Sequence, residues 1–246
     1  MDAQVAAAAT AIVTPSHRNA DLLARVRHAP SNLVRVVPTG TEAPPPEFLA
    51  KRTEDPHHVR VGMLARAEPG KRQDLVLDAA ERVWSSFPGA EFHFGGDGSN
   101  LSRLRERAQR TSRPDQIHFH GATDGLRFLA GVDISVLASD HEGVPLVVLE
   151  AMSLSVPVVA SAVGGLPEVL SPGTGMLVPP GRADPISAAL TELIASREAR
   201  EEMGRRGFEA WASSHSAEAM GAAFEEILRP PKAPMQVEEF GGRSTA

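Results

Sequence analysis

From Val59 onward, short apolar runs alternate regularly with segments of helical character. The apolar runs are rich in β-branched residues, which is typical of parallel strands buried on both faces. Strands that alternate with helices form βαβ units, so the sequence predicts an α/β fold: a Rossmann-like parallel sheet with helices on both faces. The predicted strands are 59–65, 91–95, 117–120, 134–138, 157–161 and 176–178. The predicted helices are 74–87, 101–109, 125–130, 145–154, 166–170, 183–195, 198–212 and 216–228.

The first part of the chain has a different organisation. Its predicted elements are an Ala-rich helix over 2–9, strands over 11–16 and 33–37, and a helix over 19–28. A stretch rich in Pro and Gly follows, which predicts a linker over 38–56. We therefore divide the chain into a short front unit (1–37), this linker, a main domain (57–229) and a disordered tail (230–246), whose sequence has no periodicity.

Composition excludes several classes of function. A net charge of −6 and a pI near 5.9 argue against a nucleic-acid-binding surface, which needs a basic face. The absence of cysteine excludes disulfides, thiolate metal sites and a cysteine nucleophile. Asp2 stands where a signal peptide needs positive charge, and no apolar run has the length of a membrane span. We expect a cytoplasmic protein without a transmembrane segment.

In an open α/β sheet, ligands bind beyond the carboxyl ends of the strands. The loop after the first strand of the main domain contains Arg66 and Lys71 on either side of a Pro-Gly turn. A forked guanidinium and a point-like ammonium at this spacing can close on a pyrophosphate. The alternative is a solvated loop with two cations.

Three further loops at this edge are rich in glycine or small residues. Gly96 and Gly98 lie between a strand and a helix, where they let a ligand approach the backbone or simply form a tight turn. The dinucleotide motif GxGxxG fails, because position 101 is Leu. Ala122 lies in a loop that could flank a nucleobase or only make a turn, and Gly164-Gly165 leaves the same two interpretations open.

The segment SDHEGVPLVVLEAM, residues 139–152, is the richest in candidate chemistry. Glu142 lies in a tight loop, and Glu150 lies eight residues later inside a helix whose first turn begins near Pro145. The free amides of that first turn favour an anion, and the carboxylates can accept hydrogen bonds from sugar or ribose hydroxyls. The alternative is a pair of solvated acids near a helix end.

The nine histidines include His118 and His120, which alternate in a strand and so face the same side. Without carboxylate or cysteine partners at metal spacing, we predict that they are core or surface residues and that the chain has no metal site. No Asp-x-Asp element is present to hold a divalent ion on a sugar nucleotide.

Together these motifs resemble the donor-binding half of glycosyltransferase family 4, the glycosyl transferases group 1, which has the GT-B architecture. The matching segments are GMLARAEPGK, GDG, the E-x7-E block from Glu142 to Glu150, PVV, GGLPE and GMLVPP. One departure is Met152-Ser153-Leu154-Ser155, where the family has small residues and a Gly before the following Pro.

The resemblance implies a role for each matching residue. Arg66 and Lys71 would bind the diphosphate, Glu142 would address the transferred sugar, and these three are the implied catalytic residues. Glu150 would bind the ribose hydroxyls. The other implied donor-binding positions are Gly96, Gly98, Ala122, Gly143, Val144 and Leu146. The implied reaction is retaining, metal-independent transfer of a hexose from a nucleotide-sugar to an unknown acceptor. It needs no cofactor besides the donor, for which family frequency favours a UDP-sugar.

The front of the chain resembles only the last strand and helix of the family's N-terminal, acceptor-binding domain. We therefore expect a truncated or split enzyme that needs a partner chain with the acceptor domain for turnover, or that is not competent alone. The alternative function is a nucleotide-sugar-binding module without transfer activity.

Overall fold

The computed structural model describes residues 9–27, 29–49 and 58–229. Most of the predicted helix over 2–9, the end of the predicted linker and the predicted disordered tail over 230–246 lie outside these residues. None of the described helices is long and apolar enough to cross a bilayer.

The described chain begins with a small β-α-β unit. Strands β1 (Ile12–Thr14) and β2 (Val34–Val36) pair in parallel on either side of helix α1 (His17–Arg27). The N-terminus of α1 is capped from the main domain, because the backbone amides of His17 and Arg18 donate to the carboxylate of Glu168 at 2.7 and 2.8 Å. The front unit therefore packs against the domain through a defined polar contact.

The main domain contains one six-stranded sheet in which every pair of neighbours is parallel. Its strands are β3 (Arg60–Leu64), β4 (Glu91–Gly95), β5 (Ile117–Gly121), β6 (Ile134–Leu137), β7 (Val158–Ser161) and β8 (Met176–Val178). Their spatial order is β5-β4-β3-β6-β7-β8. The chain thus moves outward from β3 to β5 and returns to place β6 beside β3, which is the doubly wound Rossmann order with its topological switch point between those two strands.

Helices cover both faces of this sheet, as the sequence predicts. They are α2 (Gln73–Val83), α3 (Leu101–Ala108), α4 (Gly125–Ala130), α5 (Leu146–Ser153), α6 (Leu166–Val169), α7 (Ala183–Ala195), α8 (Arg197–Ser214) and α9 (Ala217–Leu228). Helix α2 packs on α7, whereas α5 packs on α4 and α8. The central strands β6 and β7 are buried along their whole length, which explains their uninterrupted apolar sequence.

Among the described residues, the predicted elements are confirmed with boundary shifts of a few residues, and three short turns were missed. These are 3₁₀ turns at Pro46–Phe48, Pro69–Lys71 and Pro114–Gln116. Each begins with proline, whose fixed φ and missing N–H suit the first position of a helical turn. The turn at Pro69–Lys71 matters most, because it ends at Lys71, one of the predicted diphosphate-binding residues.

The described part of the predicted linker is held against the junction of α8 and α9. The amide of Thr41 donates to the carbonyl of His215 at 3.0 Å, and the Trp211 indole donates to the Thr41 hydroxyl at 2.9 Å. The Thr41 carbonyl accepts from the amide of Ala217 at 2.9 Å. The chain entering the main domain therefore has a fixed path around Thr41.

Candidate functional site

The two loops at the switch point of the sheet are tied together. The loop after β3 carries Arg66 to Arg72, and the loop after β6 carries Asp140 to Pro145. The amide of Asp140 donates to the carbonyl of Gly70 at 2.9 Å, and Arg72 Nη1 donates to Asp140 Oδ1 at 3.2 Å. Their predicted functional residues are therefore brought to one crevice, where ligands of open α/β sheets bind.

Lys71 and Glu142 meet across this crevice. Lys71 Nζ lies 2.6 Å from Glu142 Oε1, and the side chains are 30% and 9% exposed. The sequence places the two residues 71 positions apart, and only the return of the chain to β6 brings them into contact. The pair places a positive charge beside a carboxylate at the mouth of the switch point.

Arg66 lies on the same loop as Lys71 but faces solvent. Its side chain is 79% exposed, and its Nη2 forms a salt bridge with Glu68 Oε1 at 3.2 Å. Glu68 is held by the Ser99 hydroxyl at 2.7 Å, and the hydrogen bonds from Ser99, with the nearby Arg66, keep the pKa of Glu68 below its usual value. An exposed guanidinium with one carboxylate partner is free to turn toward an anionic ligand.

Helix α5 begins at the crevice with its first turn uncapped by any side chain. Pro145 occupies the N-cap position, the first turn contains no acidic residue, and Leu146 is 52% exposed. Gly143 and Val144 precede the helix, and Gly143 is exposed. The amides and the dipole of this helix end therefore face the same space as Lys71, in an arrangement that favours a bound anion.

Glu150 lies one turn further along α5 and is half-buried. Burial raises the pKa of this carboxyl, and the nearby negative charge of Asp124 raises it further. Asp124 itself caps α4 by accepting from the amide of Arg127 at 2.7 Å. Within the described ranges, no group hydrogen-bonds to the Glu150 carboxylate. It is therefore an acceptor available to a ligand hydroxyl.

Gly96 and Gly98 lie where the loop after β4 packs against the loop after β3. Gly96 has φ 113°, and a Cβ there would lie 2.1 Å from the carbonyl oxygen of Ala65. A Cβ at Gly98 would lie 2.5 Å from the carbonyl oxygen of Ala67. Close packing of two backbones accounts for both glycines, so their predicted contact with a donor stays a prediction.

The loop after β5 reaches the same edge. The amide of Gly96 donates to the carbonyl of Gly121 at 2.7 Å, and the next residue, Ala122, is exposed. Ala122 therefore borders the open end of the sheet without contributing to the core, and its predicted contact with a donor also stays a prediction.

Gly164 and Gly165 pack against the backbone of the loop that contains Glu142. Gly164 has φ 58°, and a Cβ there would lie 1.7 Å from the carbonyl oxygen of Glu142. The amide of Gly165 donates to the carbonyl of Gly143 at 2.8 Å. Of the two interpretations that the sequence allowed, backbone packing is the one that these distances explain.

Three side chains that shape the crevice, Arg72, Asp124 and Asp140, were not predicted from the sequence. Arg72 bridges Asp140 and Asp74, and it has the left-handed φ of 56°. Asp124 acts on the charge of Glu150 from the start of α4. Arg72 directly follows Lys71, and Asp140 lies inside the segment that holds the E-x7-E block, so adjacency was the available signal for these two.

The sequence gives His118 and His120 no carboxylate partner at metal spacing, but the structure brings Glu91 close to His118. Parallel pairing of β4 with β5 sets His93 directly opposite His118, and Glu91 joins them from the same face of β4. Sequence spacing could not show this, because the register between two strands is a tertiary feature.

Comparison with known proteins bears on the family and the fold of the chain. The family model of glycosyl transferases group 1 matches residues 46–210. A GDP-mannose-dependent monoacylated alpha-(1-6)-phosphatidylinositol monomannoside mannosyltransferase of Corynebacterium glutamicum is 33% identical over 175 residues. That alignment covers 67% of this chain and 45% of the relative, so the chain spans about half the length of the mannosyltransferase that it matches.

Two solved structures share the fold. The crystal structure of Anabaena HepE in complex with UDP superposes with a TM-score of 0.80 at 19% identity, covering 89% of this chain and 64% of that one. The C-terminal domain of a group 1 glycosyl transferase, LpcC, from Francisella tularensis gives 0.59 at 25% identity, covering 65% and 87%. With the family model matched over more than half of its length, the chain belongs to the glycosyl transferases group 1.

Proposed function

We propose that this chain binds a nucleotide-diphosphate-sugar at the switch point and takes part in retaining transfer of its hexose to an acceptor. The observation that carries the proposal is the meeting of Lys71 and Glu142 at 2.6 Å, across the two loops where an α/β sheet of this topology binds its ligand. Family membership supports transfer, and the charges around the crevice support a diphosphate.

In this proposal Lys71 and Arg66 bind the donor diphosphate. Lys71 supplies a partly buried ammonium, and Arg66 supplies an exposed guanidinium that can turn from Glu68 toward phosphate. Two cations stabilise the negative charge that grows on the departing nucleotide, and preorganised electrostatic stabilisation of this kind usually contributes more to catalysis than any other single effect. The proposed reaction uses no divalent ion, so Lys71 and Arg66 neutralise the charge on the departing nucleotide.

In the same proposal, Glu142 and the amides of Gly143 and Val144 contact the transferred sugar. Neither a steric contact nor a positive φ requires glycine at position 143, because a Cβ there would meet no atom within 4 Å. Close approach of a ligand to the backbone is a remaining reason for it. The exposed first turn of α5, including Leu146, completes the lining.

Glu150 is assigned to the ribose hydroxyls. A half-buried carboxylate that has no hydrogen-bond partner among the described residues is costly in the empty protein, and two vicinal hydroxyls would offer it donors. In the same proposal, the nucleobase lies next to the ribose and is bordered by Gly96, Gly98 and Ala122.

The base of the donor is the point on which the similar proteins differ. HepE was crystallised with UDP, whereas the Corynebacterium relative is named as GDP-mannose-dependent. We predict a UDP-sugar as the donor. The chain spans about half the length of that relative.

The test is thermal unfolding of the full chain with UDP, GDP or ADP. A nucleotide at a hundred times its dissociation constant stabilises by about 2.7 kcal/mol, which is about 5–10 °C for a chain of this size. Arg66→Ala and Glu150→Gln should lose about half of that shift or more. Arg110→Ala should keep it, because this exposed arginine follows α3 near the other end of the sheet. Absence of a shift with every nucleotide, in a folded chain, would overturn the donor site.

Transfer is tested separately with the nucleotide-sugar that binds. Nucleotide release that rises when an acceptor is added indicates transfer, and it should need Lys71. Binding without acceptor-dependent release would instead support the alternative of a binding module without transfer.

A further inference from the structure

A second cluster of chemically capable side chains lies outside the donor crevice, on the face of the sheet that α4 partly covers. Glu91 and His93 alternate along β4 and therefore point to the same face. His118 lies directly opposite His93 on β5. One ligand atom from each of the three residues lies within 4.8 Å of the other two.

The His93 ring has a polar neighbour at each of its two nitrogens. His93 Nε2 lies 3.2 Å from Glu91 Oε2, while His93 Nδ1 lies 3.0 Å from His120 Nε2. When Nδ1 of His93 donates to His120, its Nε2 presents the lone pair that a metal needs. Such a hydrogen bond to the second ring nitrogen is the usual support of a metal-ligating histidine. His118 stacks on His93 with ring centroids 4.7 Å apart.

The side chains of the cluster are partly exposed to solvent. The side chains of Glu91 and His93 are 23% and 14% exposed. Helix α4 covers the neighbouring part of this face, where Phe128 packs against the edge of the His120 ring. A hydrated ion can therefore approach Glu91 and His93 from the side that α4 leaves open.

One positive group competes for the carboxylate. Arg60 Nε lies 3.3 Å from Glu91 Oε2, whereas the other oxygen, Oε1, has His58 Nδ1 at 3.9 Å. Arg60 holds Glu91 in place, as hydrogen-bond partners of metal-ligating carboxylates do, and the carboxylate oxygens keep further lone pairs for an ion. His58 places a further imidazole near that oxygen.

We propose that Glu91, His93 and His118 form a site for a single divalent transition-metal ion of the Zn²⁺ type. Two imidazoles and one carboxylate are a ligand set that suits Zn²⁺, Co²⁺ and their neighbours, whereas Mg²⁺ and Ca²⁺ prefer oxygen alone. The ion would cross-link β4 to β5, the strand at the edge of the sheet. The site is separate from the donor loops and does not depend on the proposed transfer.

The experiment is a titration of the full, untagged chain with Co²⁺ and Zn²⁺, followed by absorption spectroscopy and thermal unfolding. We expect one Co²⁺ per chain with the intense visible bands of low-coordinate geometry, displacement by Zn²⁺, and a higher melting temperature with either ion. His93→Ala and His118→Ala should abolish stoichiometric binding. His120→Phe removes only the support of His93 and should weaken binding about tenfold.

Two controls separate this site from adventitious binding. His17→Gln alters an exposed histidine of the front unit and should bind the metals like the wild type. Mg²⁺ should leave the melting temperature unchanged. If a cluster variant fails to fold, Zn²⁺ should still shift the imidazole NMR signals of His93 and His118 in the wild type. Absence of stoichiometric binding, equal loss in His17→Gln, or binding unchanged in folded cluster variants would overturn the site.

Discussion

Lys71 Nζ and Glu142 Oε1 lie 2.6 Å apart, although their strands, β3 and β6, are separated in sequence by two complete β-α units. Glu142 is the more buried partner, with a side chain 9% exposed. A carboxylate at that depth needs its cation, so the pair contributes to the empty protein as well as to any ligand.

Replacing Lys71 with Met keeps the apolar stem and removes the charge. We expect a loss of about 1–2 kcal/mol in the free energy of unfolding, below the 3–5 kcal/mol of a fully buried pair, because Lys71 is 30% exposed. Adding Glu142→Gln should restore part of the loss. Urea denaturation of the four proteins of this double-mutant cycle should give a coupling energy of about 0.5–3 kcal/mol. Additive effects would show that the contact between Lys71 and Glu142 does not contribute to stability.

Gly143 and Gly165 make a matched pair, because they are hydrogen-bonded to each other yet differ in free space. A Cβ at Gly165 would lie 2.8 Å from the carbonyl oxygen of Gly143, so Gly165→Ala should cost about 1–3 kcal/mol. Gly143→Ala meets no atom within 4 Å and should change the free energy of unfolding by less than about 0.5 kcal/mol. Gly143→Ala should nevertheless weaken binding of the nucleotide-sugar. A variant that binds the donor like the wild type would remove Gly143 from the site.

Local pattern was enough to predict the elements of this fold. Each buried strand has its own apolar run, and the helix signals of α4 and α7 predict their bounds to the residue. The side-by-side placement of β3 and β6 is not a local property. The resemblance could therefore assign Lys71 and Glu142 to one ligand. The sequence could not show that the two side chains contact each other.

The non-local placement of strands also explains why the cluster around His93 could not be predicted from the sequence. His118 and His120 were correctly predicted to share a face, since alternation within one strand is a local rule. Their partners Glu91 and His93 come from the neighbouring strand, at a register set by the whole sheet. Gly164 is similar: its left-handed φ and its contact with Glu142 follow from how two distant loops stack.

The lowered pKa of His93 predicts how the stability of the metal-free protein depends on pH. Burial lowers the pKa of this imidazole to about 4, and the nearby His118 and His120 oppose its charge, while the hydrogen bond to Glu91 acts in the other direction. The unfolded chain, with an ordinary value near 6.5, binds more protons between pH 6.5 and 4. Stability should therefore fall as pH falls through this window, by at most about 3 kcal/mol from this group.

Urea denaturation in the presence of a chelator, at pH 7 and pH 5, measures that loss. His93→Asn should lose less stability than the wild type between the two values. Phe92→Leu weakens the opposite face of the same strand and should keep the wild-type difference. An unchanged difference in His93→Asn would mean that other groups set the pH dependence.

Glu150→Gln should act in opposite directions on stability and on binding. Burial, and then Asp124, raise the pKa of Glu150, so the folded protein carries its ionised form at a cost. That cost is absent at pH values below the carboxyl's unfolded pKa and grows as pH rises through the folded one. The neutral amide should therefore raise the melting temperature of the empty chain at pH 7, with a smaller gain at acid pH. It should also weaken nucleotide binding about 10- to 100-fold, because a hydrogen bond to a charged acceptor contributes about 1.5–3 kcal/mol.

The control for Glu150→Gln is Glu106→Gln, on an exposed position of α3, which should change neither quantity. Melting curves with and without the nucleotide that binds, at two pH values, give all the comparisons. A lower melting temperature of the empty Glu150→Gln chain would mean that the carboxylate has a structural partner. A higher one with undiminished binding would mean that the buried charge does not serve the ribose. Only the combination of greater stability and weaker binding fits a carboxylate kept in place for a ligand.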